Sequence, residues 1–93
     1  MEFWHYLKNN NKRFAADLLA PSKESVELPS VGEGWVDELV FYIGQVEEPE
    51  GVCVRVLANT QESWRYWNTF IVYRGGEYKV DWAETVRRSE SAG

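Results

Sequence analysis

One carboxylate stands where the general base of an enzyme could be, in the segment KVDW at residues 79–82. Asp81 is flanked there by apolar residues, and a carboxylate desolvated by such neighbours has a raised pKa suited to proton abstraction. The sequence therefore offers the hypothesis of a small lyase or isomerase with Asp81 as base. Its pocket would be lined by Trp67, Phe70 or Tyr73. The alternative, which we favour, is a solvated strand carboxylate paired with a nearby Lys or Arg.

The other reactive side chains have no partner that the sequence identifies. His5 lies in FWHYL without a second ligand at a metal-binding spacing, and Cys53 is the single cysteine. A thiol within VCVRV is expected to be a small strand residue and not a nucleophile. The glycines of GEG at 32–34 and GG at 75–76 lack the spacing and the following Lys of a phosphate loop. We predict no metal and no cofactor.

Composition and charge restrict the class of protein. The chain of 93 residues is predicted to form one domain over residues 1–86, followed by a flexible tail at 87–93. A net charge of −5 argues against a nucleic-acid partner, because phosphate binding needs clustered Lys and Arg. No segment reaches transmembrane length, and the single cysteine suits a reducing compartment. We therefore expect a cytoplasmic protein without a membrane partner.

The first half of the chain predicts helix followed by strand. Apolar residues at 3–19 fall on one helical stripe with a polar middle, which predicts one helix or two short ones that end before Pro21. Residues 35–46, WVDELVFYIGQV, fit either a helix or a strand. We favour a strand, because EEPEG and then GVCVRVLAN follow as a turn and a returning strand.

The second half predicts a hairpin with a defined register. Gly75-Gly76 suits a two-residue turn, which sets Tyr73 opposite Tyr78 and Ile71 opposite Val80. One face then carries Trp67, Ile71, Tyr73, Tyr78, Val80 and Trp82, and the other carries Tyr66, Phe70, Val72, Lys79 and Asp81. The predicted fold class is α+β, with an N-terminal helical segment packed on a curved four-stranded antiparallel sheet of two hairpins. A small β-barrel with an N-terminal helix is the alternative.

The segment WNTFIVYRGGEYKVDW resembles the closing hairpin of the cystatin-like and nuclear-transport-factor-like domains, in which a long strand, a glycine turn and a short strand ending in tryptophan complete a curved sheet. The resemblance covers residues 52–82. Members of that fold group include isomerases, dehydratases, ligand-binding modules and dimerisation domains, so it implies a fold and no single activity. Larger members carry three helices around a deep pocket, and the one helical region here implies a shallower version.

The aromatic content of residues 64–82 suggests a binding surface. This segment holds seven aromatic side chains in 19 positions, more than one short helical region is expected to cover. The leading hypothesis is a non-enzymatic protein-binding or dimerisation module, for which a homodimer is the simplest version. The predicted binding residues are Trp64, Tyr66, Phe70 and Val72. The Asp81 enzyme is the alternative, and an acidic inhibitor of a nucleic-acid enzyme is a further one.

Overall fold

The computed structural model describes residues 2–21, 27–29, 31, 40–60 and 63–91. Its elements in chain order are α1 (Glu2–Lys8), α2 (Lys12–Asp17), β1 (Val40–Glu48), β2 (Gly51–Thr60), β3 (Ser63–Arg74), β4 (Glu77–Asp81), α3 (Trp82–Arg87) and β5 (Glu90–Ser91). Helices and a sheet of four antiparallel strands, β1 to β4, give the mixed α+β fold that the sequence predicts.

The N-terminal helical segment consists of two short helices. In α1 the buried residues are Phe3, Trp4 and Leu7, a spacing that turns one helical face toward the sheet. Asn10 then takes a positive φ of 56°, which Asn tolerates better than most residues, and it separates α1 from α2. The polar NNN run is therefore the point at which the chain turns between the helices.

The first hairpin joins β1 to β2. Its strands pair from Val40 opposite Ala58 to Glu48 opposite Gly51, so only two residues form the turn. The strand prediction is confirmed from Val40 onward, and residues 35–39 lie outside the described part of the chain. Gly51 is required by packing, because a Cβ at this position would overlap the carbonyl oxygen of Ile71.

The second hairpin has the predicted register. Tyr73 pairs with Tyr78 and Ile71 with Val80. The turn glycines have positive φ angles of 60° and 82°, which fit a tight hairpin turn. After β4 the chain forms α3 and then returns as β5 beside β3, with Tyr66 opposite Glu90.

The main hydrophobic cluster lies on one face of the sheet, beneath α1. Trp67 of β3 stacks on Trp82 with ring centroids 5.2 Å apart, and Trp4 of α1 approaches Trp67 at 5.8 Å. Val56 and Val80 complete this centre from the neighbouring strands. Large rings suit a small domain, because each buries much apolar area from few residues.

Two predictions about architecture are wrong. The described strands run in the open order β1-β2-β3-β4, so the alternative of a small closed barrel is incorrect. The predicted flexible tail is packed over residues 87–91, because β5 pairs with β3 and Arg88 binds side chains of the sheet. Short-range composition suggested disorder there, but long-range pairing holds the segment in place.

Candidate binding edge

The protein's own arginines cover much of the predicted binding face. Phe70 and Val72 are only 4% and 3% exposed, so the expectation that these two side chains lie on an open surface is wrong. The Arg88 guanidinium carbon lies 4.4 Å from the centroid of the Phe70 ring. Arg55 covers Tyr66 in the same manner at 4.2 Å. Such contacts satisfy the ring faces with a cation from the same chain.

Arg88 is held in that position by a network of hydrogen bonds. Its guanidinium donates to Glu48 at 2.8 Å and to Glu84 at 2.9 Å, while the Asn68 amide donates to its backbone carbonyl at 2.6 Å. The hydrogen bonds to Glu48 and then Glu84 raise the pKa of Arg88 further above its ordinary value. Sequence reasoning missed this role, because position 88 lies 18 residues beyond Phe70 and only the folded α3 brings the two together.

Asp81 has a structural partner. Its carboxylate accepts a hydrogen bond from the backbone N–H of Glu84 at 3.1 Å, so it is the N-cap of α3. The sequence contains the signal for this role, since D-x-x-E is a helix-start spacing. The strand alternation also turns Trp67 and Tyr73 to the face opposite Asp81. Of the residues of the predicted enzyme pocket, only Phe70 lies on the same face as Asp81, directly opposite it, whereas Trp67 and Tyr73 lie on the other face.

The other two reactive side chains lie on different sides of the sheet. His5 is exposed on α1, which packs on the Trp67 face, and the Asn9 amide lies 3.2 Å from its ring nitrogen. Cys53 pairs with Phe70 across β2 and β3 and so belongs to the opposite face. Within the described residues, no group of three or more His, Cys, Asp and Glu side chains is placed to hold a metal ion.

The exposed apolar side chains concentrate on β1. Four of the nine exposed large hydrophobic residues in the described chain belong to this one strand: Phe41, Tyr42, Ile43 and Val46, which are 38%, 51%, 53% and 64% exposed. Trp64, one of the predicted binding residues, is 36% exposed and lies 6.0 Å from Phe41 by ring centroids. We call the outer side of Val40–Glu48, with these four apolar side chains, the β1 edge.

The two edges of the sheet differ. On the β4 side, the chain after α2 pairs with the strand at Val80: Ala20 donates to the Val80 carbonyl and Val80 donates to the Leu18 carbonyl, both at 2.8 Å. On the β1 side, none of the described strands pairs with the outer backbone of the strand. Every second residue of an edge strand turns its N–H and C=O away from the sheet. An extended segment placed beside β1 would meet these outward N–H and C=O groups.

A bulge at Ile43 places a depression on each side of the β1 edge. The pairing with β2 shifts by one residue between Tyr42 and Gly44. On the core side the depression has about 500 Å³ and includes Val54 and Ile71. On the other side it has about 320 Å³ and includes Val46 and Cys53.

Partial desolvation affects the Tyr42 phenol, which lines the core-side depression. It raises the pKa of the Tyr42 phenol above its ordinary value, although half of this residue's surface is exposed. Ile71 continues the depression toward the core, where it packs against the buried cluster. The walls here are therefore largely apolar.

Comparison with known proteins identifies no relative. No protein-family model matches the chain, and neither a curated protein nor a solved structure matches it. Of the helices in the described residues, none is long and apolar enough to cross a membrane. The resemblance to the cystatin-like and nuclear-transport-factor-like group stays a prediction from residues 52–82.

Proposed function

We propose that this chain is a non-enzymatic protein-binding module that adds an extended segment of a partner to the β1 edge. The contrast between the two sheet edges carries the proposal. Leu18 and Ala20 pair with the backbone of Val80 in β4, whereas the outer backbone of β1 pairs with no described strand and the strand displays exposed apolar side chains. Soluble proteins normally protect such an edge, and an unprotected one is suited to strand addition.

The two depressions give such an edge a means of selecting its partner. Main-chain hydrogen bonds would supply affinity that is independent of sequence, and alternate side chains of the added strand point to opposite faces. One set would enter the depression beside Val54 and Ile71, and the other would enter the depression beside Val46 and Cys53. Burial of apolar area stabilises such a complex by roughly 25 cal/mol per Å² before the costs of association.

This proposal keeps the function predicted from the sequence and moves its location. Trp64 remains part of the surface through its contact with Phe41, whereas Phe70 and Val72 serve the interior. Self-pairing is the homodimer version of the same function. We also propose that the sheet is curved as in the fold group that the chain resembles. The proposed location of the protein is the cytoplasm. The Asp81 enzyme gains no support, because that carboxylate caps α3.

Two measurements on the wild-type chain test the function. Sedimentation velocity over a range of concentrations detects self-association, and selection from a displayed library of random peptides detects binding of extended segments. We expect at least one of them to show association. The backbone amide signals that shift on association are expected to belong to β1 and not to β4.

A matched pair of variants locates the site. Replacing Ile43 and Val46 together by Ser removes apolar area that is 53% and 64% exposed, and should weaken the association by roughly tenfold or more. Tyr78→Ser, at a residue 68% exposed on β4, should leave it unchanged. Equal loss in both variants, or no association of either kind in the wild type, would overturn the proposal.

A further inference from the structure

The last four residues that the structure describes lie across the sheet face that carries Phe70, yet none of them is apolar. Residues 88–91 are Arg, Ser, Glu and Ser, and we call this segment the strap. We infer that the strap opens while the rest of the domain stays folded, and that its opening uncovers the Phe70 ring. The inference concerns the chain alone and does not depend on a partner at the β1 edge.

Two ion pairs tie the strap to the sheet. Arg88 is paired with Glu48 at 2.8 Å, and Glu90 is paired with Arg55 at 3.0 Å. Between 30% and 60% of each of these four side chains is exposed, so water and salt reach both pairs. Ion pairs with such exposure contribute little to stability, and salt weakens them further.

Hydrogen bonds add to these pairs. The Asn68 amide donates to the Arg88 carbonyl at 2.6 Å, and Arg65 donates to the Ser89 hydroxyl at 2.9 Å. The backbone of β5 pairs with β3 through two residues. Water replaces such polar contacts when a segment opens, whereas the burial of apolar area has no substitute in water. The strap is therefore held by contacts that cost little to break.

The preceding part of α3 is held differently. Trp82, Ala83 and Thr85 are buried, with exposures of 3%, 8% and 0%. The Thr85 hydroxyl accepts a hydrogen bond from the Phe70 N–H at 3.0 Å and donates one to the Asp81 carbonyl at 2.8 Å. Opening here would expose apolar area and unpair buried polar groups, so this part belongs to the stable core of the domain. We therefore place the hinge between this anchored part of α3 and the strap.

Opening of the strap removes the cover of Phe70. The ring is 4% exposed, and the Arg88 guanidinium carbon lies 4.4 Å from its centroid. Cys53 pairs with Phe70 across β2 and β3 and lines the depression of about 320 Å³ at the β1 edge. Displacement of Arg88 thus extends this depression toward an aromatic ring. The open state offers an apolar side chain or ligand a larger contact surface than the closed state does.

Hydrogen exchange followed by NMR on the full chain tests the opening. In the wild type, we expect the β5 amides to exchange at least about tenfold faster than the β2 amides, and faster still as sodium chloride is added. Arg88→Gln removes the pair with Glu48 and should accelerate exchange in β5 at least about fivefold. Glu90→Gln removes the other pair and should act in the same direction. The β2 amides should keep their protection in both variants.

The reaction of Cys53 with a bulky maleimide is the second readout, because it is the single cysteine of the chain and lies beside Phe70. We expect Glu90→Gln, which leaves Arg88 itself in the chain, to react about twofold faster or more. Arg74→Gln removes the same charge as Arg88→Gln at an exposed position and is the matched control. It should change neither the exchange in β5 nor the reaction of Cys53. Urea unfolding of each variant measures how much of either rate passes through global unfolding.

The outcomes decide the inference without reference to any partner. If β5 and β2 exchange at the same rate in the wild type, the strap opens only with the whole domain and the inference is overturned. It is also overturned if Arg88→Gln accelerates β5 no more than Arg74→Gln does, or accelerates β2 equally. Acceleration confined to β5 without faster reaction of Cys53 would show that Phe70 stays covered, which likewise contradicts it. Acceleration confined to β5 together with faster reaction of Cys53 supports it.

Discussion

Trp4 donates its indole N–H to the hydroxyl oxygen of Thr69 at 2.8 Å, which joins α1 to the middle of β3 across 65 positions of the chain. Both residues are fully buried. A hydrogen bond in such a place matters mainly through what its loss leaves behind, because an unpaired buried polar group costs free energy. This contact fixes the orientation of the helix on the sheet and thereby completes the aromatic core.

Trp4→Phe should lower the free energy of unfolding by roughly 2–4 kcal/mol, because it removes buried volume and leaves the Thr69 hydroxyl without this donor. Thr69→Val should cost about 1–3 kcal/mol through the unpaired indole N–H. Urea unfolding of both variants and of the double variant measures the coupling. If the two effects simply add, the hydrogen bond does not contribute to stability.

Replacing two glycines of the same hairpin should have opposite consequences. Gly51→Ala is expected to cost about 1–3 kcal/mol, because the new Cβ overlaps the Ile71 carbonyl oxygen and β2 has to shift. Gly44→Ala should stay within about 0.5 kcal/mol of the wild type, since nothing lies within 4 Å of its added Cβ. Thermal or urea unfolding of the pair tests this, and similar losses would contradict it.

Asp81 is expected to behave as a cap. Asp81→Ala should lower the free energy of unfolding by about 1 kcal/mol, because the Glu84 N–H loses its acceptor. Asp81→Asn keeps a side-chain oxygen in place and should retain most of the stability. Urea unfolding of the two variants compares them. If Asp81→Asn lowers the free energy of unfolding as much as Asp81→Ala does, the carboxylate charge, and not the cap, is the stabilising feature.

Glu84 should make the free energy of unfolding depend on pH in the acidic range. Hydrogen bonds from Arg88 and then Arg87 lower the pKa of this carboxyl in the folded state below its ordinary value of 4.5. The unfolded chain therefore takes up the proton first as the pH falls. The stabilisation is fully present above pH 4.5 and is lost as the pH drops through the lower folded-state pKa.

The Glu84→Gln variant should show a flatter decline of unfolding free energy on the acid side than the wild type does. Glu50→Gln, which changes the net charge equally at an exposed turn, is the matched control and should keep the wild-type slope. The measurement is a series of urea titrations from neutral to acidic pH. Parallel pH profiles for all three proteins would show that the Arg88 and Arg87 contacts are not maintained in solution.

Local patterns were sufficient to predict the hairpins. The alternation of β-branched and aromatic residues, together with Gly75-Gly76, specifies the register of β3 and β4, because a slip of one residue would turn Ile71 and Val80 away from the core. The same alternation placed Trp67 on one face with Ile71 and Val80, and that face packs into the core. These features depend on neighbours within a few positions, and a single sequence reports them directly.

Such local patterns do not predict which side chains cover the second face of the sheet. Arg88 reaches Phe70 only because α3 interrupts the strand after β4 and directs the following residues back over the sheet. Nothing within a few residues of Arg88 indicates that contact. The exposure of Phe70 and Val72 was mispredicted for the same reason, since exposure depends on which distant side chain covers which ring. The excess of aromatic residues was identified correctly, but not the residues that shield them.

The pairing of Leu18 and Ala20 with Val80 obstructs the addition of a further strand beside β4. Growth of a fibre by strand addition requires two free sheet edges on each chain. One edge pairs with the preceding copy and the other pairs with the next. Among the strands that the structure describes, β1 has no neighbour on its outer side, whereas β4 is paired at Val80, so an assembly built through β1 should terminate after one addition. The covered β4 side would then set the stoichiometry of the complex at one to one and keep concentrated solutions free of filaments.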